Sequence, residues 1–171
     1  AICEYDRFED RYTLHSGNQF HHDLRSWLAQ SVLKVPESKL RIISPDMGGS
    51  FGLRSNCFPE LTLVMWAAKQ LERPVKWVNE RSEGILEEHA RDFAMTVELA
   101  LAEDGTFLGL RVLKRASVGA YLNNFGPLPA IGNLGGIAGV YKTPAIHAEI
   151  TGVFTNSAPT SPYRGAGRPE A

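Results

Sequence analysis

The sequence predicts an α+β fold, a mixed sheet with two main helices and an antiparallel hairpin. Three observations predict it. Apolar residues recur at helical spacing in two stretches of the first half, Leu24 to Val32 and Pro59 to Glu72. From Phe93 to Leu101 they alternate strictly, the period of a strand with one buried face. Directly after it, Asp104-Gly105 is a strong signal for a tight reversal into a return strand.

Taken in order, "RYTLH" (Arg11 to His15) is a short strand, followed by a turn at Ser16-Gly17-Asn18. Leu24, Trp27, Leu28 and Val32 then share one face of a helix that Pro36 ends. "LRIIS" (Leu40 to Ser44), rich in branched residues, is a buried strand. The second helix starts at Pro59, where a missing N–H goes unnoticed in the first turn, and stops before Pro74. "PVKWV" (Pro74 to Val78) is another strand. After the charged run Glu87, Glu88, Arg91 and Asp92, which reads as a solvated face, comes the hairpin. Its first strand should bury Phe93, Met95, Val97, Leu99 and Leu101, and its second carries Leu108, Leu110 and Val112 on one face. A glycine- and proline-rich stretch from Asn123 to Pro144 suits an ordered irregular loop or a broken helix, and "AIHAEITGVFT" is a last strand. The change of period near Arg91 suggests lobes of 1–90 and 91–171.

A chain of 171 residues with 43% hydrophobic and 22% charged residues is an ordinary globular composition. The formal net charge of −1 gives no reason to expect nucleic acid or an anionic membrane as partner. No apolar run approaches the ~20 residues that span a bilayer. Two cysteines, Cys3 and Cys57, form neither a disulfide framework nor a metal-ligand spacing, so a reduced, cytoplasmic setting is expected. His21 and His22 are adjacent and the remaining histidines stand alone, so no protein metal ligand is assigned. The ends of the chain suggest a piece of a longer polypeptide whose uncovered apolar surface would favour self-association.

Two loops carry the candidate chemistry. "SPDMGGSFG" (Ser44 to Gly52) follows a buried strand, and its glycines let backbone N–H groups approach an anion while Phe51 offers a flat ring. A phosphate loop of the Gly-Lys-Ser/Thr kind is excluded, because Leu53 and Arg54 follow Gly52. A dinucleotide loop matches weakly, since Met47 stands where a glycine is needed and the helix waits until Pro59; it stays open as an alternative, beside a scaffold in which both loops merely turn the chain. The second loop, "YRGAGRPEA" (Tyr163 to Ala171), sets Arg164 and Arg168 around small residues, a donor fork with room for an oxygen-rich ligand. Gln19, by spacing alone, is an exposed polar residue before a helix.

Four ordered stretches, "SGNQF" to "SPDMGGSFG", "RPVKWVNERSEGILEEHARDF", "GAYL" and "YRGAGRPEA", together resemble the large subunit of molybdenum hydroxylases. This is the xanthine dehydrogenase and aerobic carbon monoxide dehydrogenase family, and the likeness is strongest to bacterial carbon-monoxide-dehydrogenase-like large chains. It runs from about Tyr5 to Ala171 and implies that the chain is part of a molybdopterin-binding catalytic domain. It implies that the amide of Gln19 hydrogen-bonds an oxo ligand of molybdenum. Gly49, Phe51 and Gly52 would approach the metal's ligand sphere and the pterin, with Arg164 and Gly165 in the loop beside the metal. The pterin, of the cytosine dinucleotide form in bacterial relatives, would hold molybdenum without protein ligands. A general base is expected downstream of Ala171. Iron–sulfur clusters and FAD would sit in partner domains or subunits, and the reaction implied is oxidation of a small substrate with water as oxygen source. Carbon monoxide oxidisers of the family have a copper-binding cysteine at Gly165. Purine oxidisers have a glutamate at Ser55, an arginine near Thr151 and a phenylalanine at Ala166. The residues here match neither pattern.

Overall fold

A computed structural model describes residues 1–170. The chain divides into two compact units, Ala1–Glu83 and Gly84–Ala171, each with its own mixed sheet. Mixed sheets combined with helices agree with the α+β expectation. Among the described residues no helix is long and apolar enough to cross a membrane.

The first unit holds β1 (Ile2–Asp6), β2 (Arg11–His15), α1 (His21–Ser26), β3 (Leu40–Ile43), α2 (Pro59–Leu71) and β4 (Val75–Lys76) in a sheet of order β3-β2-β1-β4. β1 was not legible in the sequence. It pairs antiparallel with β2 from Ile2↔His15 to Asp6↔Arg11, and an Asp6 carboxylate accepting from the Phe8 and Glu9 N–H groups shapes the turn between them. β2 and β3 are parallel, with His15 opposite Ile43, so α1 and its continuation form the crossover that parallel pairing requires. "PVKWV" is strand only at Val75–Lys76, and Trp77 prolongs the pairing through hydrogen bonds with Ala1.

α2 begins at Pro59, as its first-turn position dictates, and buries Leu61, Val64, Met65 and Ala68 against β1 and β2. It ends where Glu72 turns left-handed, two residues before Pro74. α1 departs from expectation. After Ser26 it widens into a π-helix, Trp27–Leu33. The i→i+5 pattern adds a residue to each turn, so Val32 swings off the face of Leu24 and Leu28 and is 43% exposed. Ala29 and Leu33 take its place against the core.

Glu37, at the start of the 3₁₀ turn before β3, ties this crossover down. It accepts from Ser26 Oγ at 2.9 Å, Gln30 Nε2 at 2.7 Å and Arg25 Nε at 3.1 Å. These bonds, that of Ser26 foremost, hold its carboxyl below the ordinary carboxylate value. A group whose pKa is depressed by folding adds stability above its unfolded pKa and loses it as pH falls through the folded one. Glu37→Gln should therefore lower the first unit's urea midpoint at pH 7, and the difference from wild type should shrink as pH falls through the depressed carboxyl of Glu37, where both side chains become neutral.

The boundary falls within α3 (Arg81–Glu87), and the second unit contains β5 (Phe93–Leu101), β6 (Phe107–Gly119), α4 (Leu128–Ile131) and β7 (Ile146–Phe154), its sheet in the order β5-β6-β7. β5 and β6 form an antiparallel hairpin closed over Asp104-Gly105, with Ala102 N–H bonded to Thr106 O at 2.9 Å and Gly105 at φ 85°. β7 lies parallel to β6. The intervening stretch is irregular, broken into α4 and a 3₁₀ turn at Leu134–Gly136.

Val112, Lys114, Ala116 and Val118 of β6 are buried, on the face against which α4 packs. The expected burial of β5 is overturned. Met95, Val97, Leu99 and Leu101 do share a face, but they are between 36% and 53% exposed. The four-residue α4 lies against β6 and β7, and β5 stays largely exposed along its length. Alternation thus specified which way the side chains face without specifying what covers them.

Candidate functional site

Because β2 and β3 are parallel and level at His15 and Ile43, the loops that follow them leave the sheet at the same edge. In open sheets that C-terminal edge of parallel strands is where ligands collect. Ser16 N–H bonds Ile43 O at 3.0 Å, and Gln19 N–H bonds Arg54 O at 3.0 Å. A Cβ on Gly17 would sit 2.8 Å from Met47 Sδ, so any larger residue there would have to push the Met47 side chain aside.

Gln19, Gly49, Phe51 and Gly52 are brought together here. Gln19 Oε1 accepts from Ser50 Oγ at 2.7 Å and from Ser55 Oγ at 3.3 Å, while Ser50 Oγ accepts from Arg54 N–H at 3.2 Å. The amide oxygen of this exposed side chain is thus taken by two hydroxyls, which leaves the Nε2 donors for another acceptor. Gly49, Phe51 and Gly52 have φ of 103°, 54° and 101°. A Cβ at Gly49 would lie 2.9 Å from the Phe51 ring, which explains the second glycine of the pair. Gly48 is different, since a Cβ there would meet nothing within 4 Å, and the fold itself does not ask for glycine. α2 starts ten positions after Gly49, beyond a 3₁₀ turn at Leu53–Ser55, so its N-terminus is not part of this loop. That removes the anion-binding helix on which a dinucleotide site depends.

Arg164 and Gly165 share the other loop, within the second unit. Arg164, Gly165, Ala166 and Gly167 all have positive φ (40°, 93°, 51° and 91°), a complete left-handed turn that includes two residues bearing a Cβ. Arg164 and Gly165 are exposed, and the Arg164 guanidinium lies 5.4 Å from the centre of the Tyr163 ring. Ala166 and Gly167 are buried against the α4 segment. A Cβ on Gly132 would come within 2.1 Å of Ala166 O, and one on Gly167 within 2.2 Å of Pro129 O. Lys114, 2% exposed, donates to that same Pro129 O at 3.3 Å and sits 4.2 Å from the centre of the Phe93 ring. Arg168 is exposed and folds back on the turn, its N–H and its Nη1 both donating to Gly165 O, at 3.0 and 3.2 Å.

Two contributors escaped the sequence reading. Ser55, 3% exposed, is a partner of Gln19. Arg91, expected on a solvated face, donates through Nη2 to Tyr163 O at 2.6 Å and to Arg164 O. Neither had a sequence signal, since the partner of one is set by strand register and the acceptors of the other are backbone carbonyls.

Among the described residues no group of three or more His, Cys, Asp or Glu gathers to hold a metal ion. Neither Cys57, shortly after the glycine loop, nor Cys3 is in a disulfide. Burial pushes their thiols up to about 11 and about 12, so neither is a ready thiolate at neutral pH.

Residues 1–171 match throughout the family described as the molybdopterin cofactor-binding domain. The chain belongs to this family. The domain is 37% identical over 151 residues to the 6-hydroxypseudooxynicotine dehydrogenase complex subunit gamma of Paenarthrobacter nicotinovorans, covering 88% of this chain and 19% of that protein. It is 38% identical over 161 residues to the carbon monoxide dehydrogenase large chain of Hydrogenophaga pseudoflava, covering 93% and 20%. Among solved structures, quinoline 2-oxidoreductase from Pseudomonas putida 86 superposes with a TM-score of 0.92 at 32% identity, covering 97% of this chain and 21% of that one. This molybdopterin-binding domain therefore spans about a fifth of the length of the relatives it matches. The likeness first drawn from its motifs holds at the level of the family.

Proposed function

We propose that this domain is part of the catalytic large subunit of a molybdenum hydroxylase, and that Gln19, Gly49, Phe51, Gly52, Arg164 and Gly165 contact its molybdopterin cofactor. The observation that carries the reading is Gln19, its amide oxygen held by Ser50 and Ser55 and its donor end left for another acceptor beside a loop of bare backbone. That donor set fits an oxygen-bearing group. The open space at Gly48 and the exposed Phe51 ring fit a flat ligand brought close to the main chain. When bound, the molybdenum–pterin group, in its cytosine dinucleotide form, supplies two-electron oxidation of a substrate carbon with water as oxygen source.

The chain's own residues do the holding. Gln19 donates to an oxygen of the cofactor through Nε2. Gly49 and Gly52 keep the backbone low enough for close approach, and Phe51 borders the pterin. Arg164 supplies forked, permanently charged donors from the second loop. The general base lies outside this chain, and electrons pass to iron–sulfur and flavin subunits.

A small N-heteroaromatic substrate suits this chain better than carbon monoxide or a purine. Two of its relatives are named for action on pyridine-bearing or quinoline substrates. At Gly165 the φ of 93° and a built Cβ only 2.7 Å from Pro169 Cδ oppose any side chain, which argues against the copper-binding cysteine of carbon monoxide oxidisers. Ser55 is buried and bonded to Gln19 rather than presented to a substrate.

Arg164→Ala in the complete enzyme tests the reading. Activity should fall about tenfold or more with little loss of thermal stability, because the side chain is exposed while the buried contacts of the turn are made by Ala166 and Gly167. A scaffold domain would show no change.

A further inference from the structure

A left-handed turn of four residues, two of them carrying a Cβ, is a strained conformation that its own bonds, Ala166 N–H to Tyr163 O at 3.4 Å and Arg168 to Gly165 O, close only in part. α4 supports it from the buried side, through Gly132 and Pro129. On the exposed side the contact is Arg91. Its Nη2 donates to two successive carbonyls, Tyr163 O and Arg164 O. Successive carbonyls of an extended segment point in opposite directions, so they converge on one nitrogen only when the chain has turned. The guanidinium therefore binds the turned form in preference to the extended one, with charge-assisted bonds. Arg91 is itself delivered by paired backbone. His89 N–H bonds Pro159 O at 3.0 Å and Ser161 N–H bonds His89 O at 2.9 Å, a parallel bridge just ahead of the turn.

We propose that Arg91 is a positioning residue that locks the Arg164–Gly167 turn, so that the Arg164 side chain and the Gly165 backbone are presented in one fixed geometry. This rests on the reading that the turn contacts the cofactor. It adds a residue to that site which touches neither cofactor nor substrate. Because a donor misplaced by about an ångström can cost on the order of 100-fold in rate, an anchor of this kind governs turnover more than binding.

The test compares Arg91→Ala, Arg91→Lys and Gly132→Ala in the complete enzyme. The readouts are hydrogen exchange by mass spectrometry, molybdenum content, the Mo(V) resonance spectrum, and kcat and KM. Arg91→Ala should raise exchange across residues 163–168 by roughly tenfold or more and leave β5 and β6 protected. Molybdenum should be retained, the Mo(V) signal altered, and kcat reduced roughly 10- to 100-fold with little change in KM. Arg91→Lys should recover part of the rate. Added guanidinium ion should rescue Arg91→Ala and not Gly132→Ala, which disturbs the turn from the α4 side. Unchanged exchange in Arg91→Ala overturns the proposal, as does a loss of β5 and β6 protection, which would make Arg91 a residue of the fold alone. Faster exchange with wild-type kcat and Mo(V) signal would leave the anchor standing and defeat the assignment of the turn to the cofactor.

Discussion

Gly167→Val is expected to open the second unit at lower urea, by about 3–5 kcal/mol, while the first unit keeps its midpoint. Three effects add. At φ 91° a residue with a Cβ costs about 1–2 kcal/mol relative to glycine, more for a branched one. The Cβ would stand 2.2 Å from Pro129 O, far inside contact distance, and both partners are backbone, so a segment must move rather than a side chain. The carbonyl that must give way is also an acceptor of buried Lys114, and weakening a bond to a charged donor costs about 1.5–3 kcal/mol. Exchange of β5–β6 amides and of the β1–β2 and α2 amides, followed through a urea titration, reads the two units separately. A loss below about 1 kcal/mol in the second unit would mean that the turn accommodates a side chain and is not clamped as described.

The same glycine shows how far the sequence could be read. "RGAG" is visibly short of side chains, and by sequence alone its glycines read as room for a ligand. The folded chain separates the two glycines. Gly165 is exposed, whereas Gly167 is glycine because the Pro129 backbone occupies the space. The distinction depends on a contact 38 positions away in sequence, which no local pattern encodes. Elements whose cause is local were legible, namely α2 from Pro59 and its apolar period, β6 from the Asp104-Gly105 turn, and β3 from its branched residues. Where a second cause intervened, the reading failed. A π turn displaced Val32, and β5 is left largely exposed. The candidate site divides in the same way. Its glycines and arginines announce themselves by composition. Ser55 and Arg91 act through geometry that only the folded chain supplies.

Gln19 is where that geometry has its largest functional consequence. Gln19→Ala in the complete enzyme is expected to lower kcat by about 100-fold, the effect of removing one preorganised donor from a site where charge develops. Molybdenum content should stay near wild type and the fold intact, since the side chain is exposed and Ser50 still bonds Arg54 N–H, with a loss of at most about 1–3 kcal/mol from the buried Ser55 hydroxyl that loses its acceptor. Gln19→Glu is the sharper variant. A carboxylate accepts from Ser50 and Ser55 just as the amide oxygen does, so shape and anchoring survive, but the N–H donor becomes a charged acceptor. If the two serines merely pin a surface residue, Glu should behave like wild type. If the amide donor is what matters, Glu should be at least as impaired as Ala. Its deficit should shrink only as pH falls toward the ordinary Glu range near about 4.3, where the acid regains a proton to donate. Ser50→Ala with Ser55→Ala supplies the intermediate case. The donor remains but its orientation is released, so kcat should fall less than in Gln19→Ala and without that pH dependence. The order wild type, double serine variant, Ala, Glu at neutral pH follows from one asymmetry, an amide whose oxygen is occupied and whose nitrogen is not.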